Sequence, residues 1–403
     1  MKVVLTYVIV IYFSLSLWAQ EDSLSYPFLH RDSNVFKFWG NQSHYDSLFL
    51  KFNDLQITGE NQIRILHIGD SHVQADIFTN QIRRNFANTF FHLLGPPAIS
   101  FPYGILRSNS PVTAKLSCNG SWNAYTLVGK SQAQSLLGFT AITRDTCHSK
   151  IMFTINKRAI QNVSFNKIML LTNSDSSNVL LKSGSVKKIS YSLLNDTVAI
   201  WQYDLDNYLD TIHFDIKLKS DTIPFVLYGL VALNDDPGIV YHSLGLNGAK
   251  ASTYLNTLLP DFIHIMQYDW VIISLGTNDC YSTKLDSISV HQSFEKLVRN
   301  IQERNPNVPI LLTTPMEHYR KRKYLNANVV IMRDILVKIA QNEHCALWDL
   351  YSVAGGYGSM MHWVKAHLTA GDKLHLNAKG YHLVGNLFFE AFMNTYLNGF
   401  LVE

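Results

Sequence analysis

Hydrophobic and polar positions follow two different periods along this chain, and the change of period divides it. Residues 63–69, Ile-Arg-Ile-Leu-His-Ile-Gly, form a short apolar run that stops at a glycine. Beyond it, Val73, Ile77, Ile82 and Phe86 recur at helical spacing. Strand, tight turn and helix in that order open an α/β fold. The texture returns after about residue 240, where 271–274, 309–313 and 346–350 read as strands. Residues 294–301 and 329–340 read as helices, and 378–396 as a closing helix. From about residue 101 to 233 the pattern differs, with short β-like runs at 150–155, 167–171, 190–194, 198–203 and 211–218 between Ser, Asn, Asp and Gly turns. Runs of this length and spacing predict an antiparallel sandwich. The economical layout is an α/β domain made of residues 21–100 and 236–403, interrupted by a β-sandwich insertion over 101–235, since surface loops tolerate inserted domains.

Residues 1–20 have a different character. Lys2 is followed by a nearly unbroken apolar stretch to Tyr12, and Leu17-Trp18-Ala19 precedes polar Gln20-Glu21-Asp22. This predicts an export signal cleaved after Ala19 or Gln20, and so a periplasmic or secreted protein. An uncleaved anchor is the alternative, because Leu17 is a poor residue three before the cut and the apolar stretch approaches a bilayer span. No later segment is long and apolar enough to span a membrane, so no stable span remains once the signal is removed.

With 34 basic and 31 acidic residues the net charge is +3 over 403 residues, which predicts no electrostatic grip on nucleic acid. A hydrophobic fraction of 47% against 16% charged excludes a disordered chain. Four cysteines, Cys118, Cys147, Cys280 and Cys345, allow three pairings, of which a local Cys118–Cys147 bridge is favoured. Their spacings do not suit a zinc site.

Candidate chemistry sits where strands end. Gly69-Asp70-Ser71-His72 lies at the strand-to-helix turn, placing the Ser71 hydroxyl at the carboxyl edge of the sheet, where open α/β sheets bind ligands. Ser71 serves either as a nucleophile or as a plain helix cap. Asp372-Lys373-Leu374-His375 can fold back in one turn, so that Asp372 accepts the imidazole N–H and the other nitrogen is free to take a serine proton. The competing reading is a turn with an exposed histidine. Gly276-Thr277-Asn278-Asp279 follows a strand and offers the Asn278 amide as a donor, while Gly248, in Gly245-Leu246-Asn247-Gly248-Ala249, offers an unobstructed backbone N–H.

Together these blocks resemble the SGNH/GDSL hydrolase family in order and context. The resemblance implies a three-layer α/β/α sandwich with a mostly parallel five-stranded sheet. It also implies a Ser71–His375–Asp372 triad, an oxyanion hole of Ser71, Gly248 and Asn278, and no metal or cofactor. His72 stands where the family usually carries Leu, and is taken to line the pocket or to pack. The Asp-Ser-His-x-Gln-Ala-Asp opening (Asp70 to Asp76), the β-rich insertion before Gly248, and the run from Phe225 to Gly229 leading to Asn247-Gly248-Ala249 look like peptidoglycan O-acetylesterases. In those proteins a carbohydrate-binding-module-like domain interrupts the hydrolase, and the reaction removes acetyl from the muramic acid 6-hydroxyl. The expected partner is therefore an O-acetylated glycan. Esterases of xylan or capsular polysaccharide, a polysaccharide O-acetyltransferase and a non-catalytic glycan-binding protein remain as alternatives. Trp122, Tyr125, Trp201 and Tyr203 are candidate sugar contacts, with core packing as the competing reading. Trp363 either lines the site's rim or anchors its loop. Sequence does not set the oligomeric state.

Overall fold

The computed structural model describes residues 26–40, 42–90, 94–96, 99–129, 135–146, 149–173, 179–182, 184–218 and 220–400. The expected signal and Cys147 lie outside the described residues. Six strands form the central sheet: β1 (Phe36–Lys37), β2 (Gln62–Gly69), β3 (Gly238–Gly245), β4 (Trp270–Ser274), β5 (Ile310–Thr313) and β6 (Ala346–Trp348), in the order β1-β6-β5-β4-β2-β3. Strands β2 to β6 are parallel, whereas β1 runs antiparallel to β6. The sheet is therefore mixed and six-stranded rather than five-stranded. The extra edge strand is two residues long, too short to leave a period in the sequence.

Helices α1 (Ser43–Thr58), α2 (Ser71–Gln74), α3 (Ile77–Thr89), α4 (Ser287–Arg304), α5 (Asn328–Asn342) and α6 (Ala378–Phe400) surround this sheet with several shorter ones. Side chains of a strand alternate between its two faces. Ile63, Ile65, Ile272 and Leu311 join a core that contains Phe52 of α1, Phe86 of α3 and Phe392 of α6. Leu66, Ile68, Val271, Ile273 and Leu312 join the opposite core, with Leu297 of α4 and Leu336 of α5. Burial on both faces is why these strands read as continuous apolar runs. Each fully buried Leu, Ile or Phe contributes about 1.5–3 kcal/mol. Helix α1 adds to the expected elements, and its buried Tyr45, Leu48, Phe49, Phe52 and Leu55 carry the helical spacing.

The helix expected over 71–86 is broken in two. The apolar period runs straight through the break, but Asp76 adopts a left-handed backbone (φ 57°) between α2 and α3. Its carboxylate is fully buried and accepts from Arg83 Nη1 (2.7 Å), Ser243 Oγ (2.8 Å), Thr79 and Thr113. Arg83 is equally buried and also donates to the Tyr241 carbonyl at 2.8 Å. Thr113 belongs to the β-rich region, so this one carboxylate ties α3, β3 and that region together.

Two antiparallel sheets fill most of residues 99–233. One contains Ile99–Ser100, Asn123–Thr126, Phe139–Thr143, Phe165–Thr172, Val186–Asn195, Val198–Leu209 and Phe225–Leu233. The other contains Ala114–Asn119, Ser149–Ile155, Val179–Leu181 and Thr211–Ile216. Rings meet between them, Phe153 with Phe165 at 5.5 Å and Tyr203 with Phe214 at 5.4 Å. Phe101, Tyr103 and Phe139 share one core with Leu66 and Ile68 of β2, and the Tyr103 hydroxyl donates to the Gly245 carbonyl at 2.7 Å. Cys118, Cys280 and Cys345 are free thiols. Among the described residues no helix is long and apolar enough to cross a membrane.

Candidate active site

Strand β2 ends at Gly69, whose register partner is Gly245 at the end of β3. Helix α2 starts at once and lies directly on that edge. A Cβ on Gly245 would come within 2.1 Å of the Gln74 backbone nitrogen, so only glycine admits the helix there. Asp70 caps α2 by accepting the His72 N–H at 3.0 Å. Cap duty therefore falls to Asp70, leaving the Ser71 hydroxyl free, and Ser71 Oγ donates to His375 Nε2 at 3.0 Å.

His375 lies in the turn before α6. Asp372 Oδ1 accepts the N–H groups of Leu374 (3.0 Å) and His375 (2.9 Å), and Asp372 Oδ2 accepts His375 Nδ1–H at 2.7 Å. That bond sets the tautomer that leaves Nε2 as the acceptor for serine. Burial raises the Asp372 pKa, but the His375 side-chain and backbone donors outweigh it and hold the carboxyl below its ordinary value. Residues 304 positions apart are thus joined in one Ser–His–Asp relay.

Asn278 bridges the two remaining loops. Its amide nitrogen donates to Asp70 Oδ2 at 3.2 Å and to the Ala249 carbonyl at 3.1 Å, next in sequence to Ser71 and Gly248 respectively. Gly248 has a left-handed backbone (φ +81°), and a side chain there would press on Val128 at 3.1 Å. The Ser71 and Gly248 N–H groups have no acceptor among the described residues. An oxyanion between them and Asn278 would draw the Asn278 amide from its present partners.

The Gly248 loop is held by Gln74, a buried residue of the Asp70–Asp76 motif whose role the motif leaves unread. Gln74 Oε1 accepts the Asn247 N–H (2.7 Å), while its amide donates to Ser108 Oγ (2.8 Å) and the Asn109 carbonyl (2.7 Å). Asn247 adds bonds to Ser108 Oγ (3.0 Å) and Asn109 Oδ1 (2.9 Å). One residue thus joins helix α2, the Gly248 loop and the start of the β-rich region. The signal available was its place in the Asp70–Asp76 run, which by itself says nothing of the loops it meets.

His72 does not compete with His375 for the serine proton. Its Nδ1 pairs with the Tyr381 hydroxyl at 2.9 Å, and its ring centre lies 5.1 Å from that of His375. Burial, and then the charge of His375, push its pKa down to about 3. It lines a cavity of about 60 Å³ with Met316, His318, Leu374, Leu376 and Tyr381. Two carboxyls nearby are raised by burial, Asp70 to about 6 and Asp279 to about 7. No cluster of three or more metal-ligating side chains occurs among the described residues.

The aromatic candidates separate. Trp363 is fully buried, donates Nε1–H to the Ala354 carbonyl at 3.0 Å and packs on Phe28, so it anchors the segment before the triad loop and is not on the rim. Tyr203 is core. Trp122 is half-buried edge-on to Phe225, and Trp201 pairs with Tyr191 at 4.7 Å on the outer strands Val186–Asn195 and Val198–Leu209. Neither tryptophan is joined to the triad by a hydrogen bond or ring contact among the described residues.

A relay of this kind, at the carboxyl edge of a helix-covered sheet, is the equipment of a serine acylhydrolase. Residues 226–383 match the GDSL-like Lipase/Acylhydrolase family, and together with the relay this match supports a serine esterase or acylhydrolase. The match begins after Ser71, yet β2 lies between β3 and β4, so folding returns the Ser71 block to the matched segment. No curated protein matches the chain. Among solved structures, one titled "Peptidoglycan O-acetylesterase in action" is 20% identical with a TM-score of 0.69, covering 90% of this chain and 99% of its own. The protein YxiM of Bacillus subtilis is 12% identical with a TM-score of 0.35, covering 68% and 88%. A carbohydrate esterase family 3 protein of Talaromyces cellulolyticus is 17% identical with a TM-score of 0.32, covering 40% and 73%.

Proposed function

We propose that this chain removes O-acetyl groups from a cell-wall glycan, with the muramic acid 6-O-acetyl ester of peptidoglycan as its substrate, outside the cytoplasm. The observation that carries the reading is the relay Ser71 Oγ–His375 Nε2 (3.0 Å) and His375 Nδ1–Asp372 Oδ2 (2.7 Å) beside two backbone N–H groups without acceptors among the described residues. The substrate class is supported by fold likeness to the O-acetylesterase over 90% of the chain, a span that takes in the β-rich region as well as the sheet. In this reading residues 1–20 are an export signal and 101–235 an inserted β-sandwich of carbohydrate-binding-module type. Residues 21–100 and 236–403 are then the two parts of the hydrolase.

His375 Nε2 takes the Ser71 proton as Oγ bonds to the acetyl carbon, and the carbonyl electron pair moves onto oxygen. The Ser71 and Gly248 N–H groups and the Asn278 amide hold that oxyanion. The tetrahedral species collapses, the sugar oxygen leaves with the proton from His375, and acetyl-Ser71 remains. Water, deprotonated by His375, attacks this ester through a second oxyanion, and acetate departs as the proton returns to Ser71.

Purified protein incubated with O-acetylated peptidoglycan is expected to release acetate faster than from O-acetylated xylan. Preference for xylan would retain the chemistry and overturn the wall substrate; no release from either would overturn the esterase. Asn278→Ala is expected to lower kcat about a hundredfold with a much smaller change in KM, because the donor acts on the transition state. An equal loss in KM alone would remove Asn278 from the oxyanion hole.

A further inference from the structure

The small net charge conceals one concentrated run. Arg320-Lys321-Arg322-Lys323 forms the tip of a hairpin whose arms are Tyr319–Arg320 and Tyr324–Leu325. Lys321, Arg322 and Lys323 are exposed. The hairpin is fastened to both halves of the active site. Tyr319 N–H donates to the carbonyl of Lys373 (2.9 Å), inside the Asp372–His375 turn, and the Lys373 ammonium lies 5.1 Å from the centre of the Tyr319 ring. On the other side, Lys321 N–H donates to the Tyr281 hydroxyl (3.1 Å) and Arg320 Nη1 to the Ser282 carbonyl (3.1 Å). Asn326, just past the second arm, donates to the Cys280 carbonyl (3.0 Å). Cys280, Tyr281 and Ser282 continue the loop that carries Asn278.

Among the described residues no carboxylate neutralises these charges. Elsewhere some cations, among them Arg31, Arg83, Arg299 and Arg333, meet a carboxylate and others, such as Arg64, Arg84 and Arg107, meet none among the described residues; this run differs in placing four consecutive cations on one turn. Arg320, Lys321, Arg322, Lys323 and Lys373 have no carboxylate at ion-pair distance among the described residues; their recorded contacts are carbonyls, a hydroxyl and tyrosine rings. The turn is also unfavourable in backbone terms. Lys321 (φ 51°) and Arg322 (φ 62°) both occupy the left-handed region, as a turn of the I′ kind requires, where glycine and asparagine are preferred. Crowding like charges onto strained positions serves neither folding nor packing, and Ala, Asn or Gly there would relieve both.

We infer that the Arg320–Lys323 tip and Lys373 form an anion subsite beside the triad, which binds carboxylate groups carried by the acylated polymer close to the ester under attack. The subsite selects acidic acetylated glycans over neutral ones, and it rests on the esterase reading for the reaction it serves. Cations beside a site raise the local concentration of an anionic substrate by tenfold or more at low salt, and added salt removes the advantage.

The test replaces Lys321, Arg322 and Lys323 together by serine in the full chain (K321S/R322S/K323S). Acetate release is followed from O-acetylated peptidoglycan and from neutral O-acetylated xylan. The acidic-to-neutral ratio of kcat/KM is expected to fall about tenfold at low salt, mainly through KM, while the charge-preserving K321R/R322K/K323R keeps it. The native ratio is expected to fall with salt and that of the serine variant to stay flat. An unchanged ratio in the serine variant, or the same loss in the charge-preserving one, overturns the inference. Co-sedimentation with peptidoglycan stripped of acetyl groups separates this from the esterase reading. Salt-sensitive binding that the serine variant loses supports the subsite even if no acetate is ever released. Equal binding by both, or binding to phosphatidylglycerol vesicles in place of the carboxylate polymer, overturns it.

Discussion

Ser71→Ala is expected to lower acetate release by about 10⁴–10⁶-fold, with KM changed little. In the proposed mechanism the serine oxygen bonds to the acyl carbon, and without it His375 and Asp372 have no proton to relay. Residues that act as one unit lose nearly all their effect when any member goes, which sets this range. The variant keeps the backbone N–H of position 71, so the remaining rate measures what the oxyanion donors do for direct attack by water. Asp70, not Ser71, caps α2, so the substitution leaves the helix start intact and its melting temperature close to native. Mass spectrometry of quenched turnover should find acetyl on the peptide that contains Ser71 in the native chain and none in the variant. Retention of more than about a hundredth of native turnover would place the nucleophile elsewhere, given that range.

The largest stability effect is expected at a residue remote from the substrate. Arg83→Met leaves the buried Asp76 carboxylate with hydroxyl donors alone, and breaking a fully buried ion pair from one side costs about 3–5 kcal/mol. For a chain of this size that corresponds to a fall in Tm of about 4–6 °C. Asp76→Leu should cost as much, because it strands the guanidinium. The double variant should cost clearly less than the sum, since neither charge is then left alone. Denaturant midpoints of the four proteins measure the coupling, and strict additivity would mean that the pair does not act as one.

The parts of this architecture visible in the sequence are those written in a period. Strands β2, β4 and β5 are covered on both faces and so read as apolar runs. The short strands of residues 99–233 read as such because turn residues separate them. The site was legible because each of its blocks follows a strand end or opens a helix, so four short motifs fall on one edge of the sheet. What escaped has no local signature. The break at Asp76 interrupts no apolar period, and Arg83 is of a residue type that is almost always exposed. The roles of Gln74 and of the Arg320–Lys323 run depend on loops distant in sequence. Trp363 reads equally well as rim or anchor until its neighbours are known.

The nucleophile strand has a consequence for how the chain becomes active as it is made. Both neighbours of β2 in the sheet, β3 and β4, are synthesised only after the whole β-rich region, and His375 comes later still. Until then β2 has two open edges and Ser71 has no base. The region that Thr113, Ser108 and Asn109 belong to must also be in place before Asp76 and Gln74 find their partners. Long-range pairing of this kind is slow, and it leaves an apolar strand exposed meanwhile. In the proposed mechanism the same order leaves a chain that stops short of residue 375 without the base that Ser71 requires.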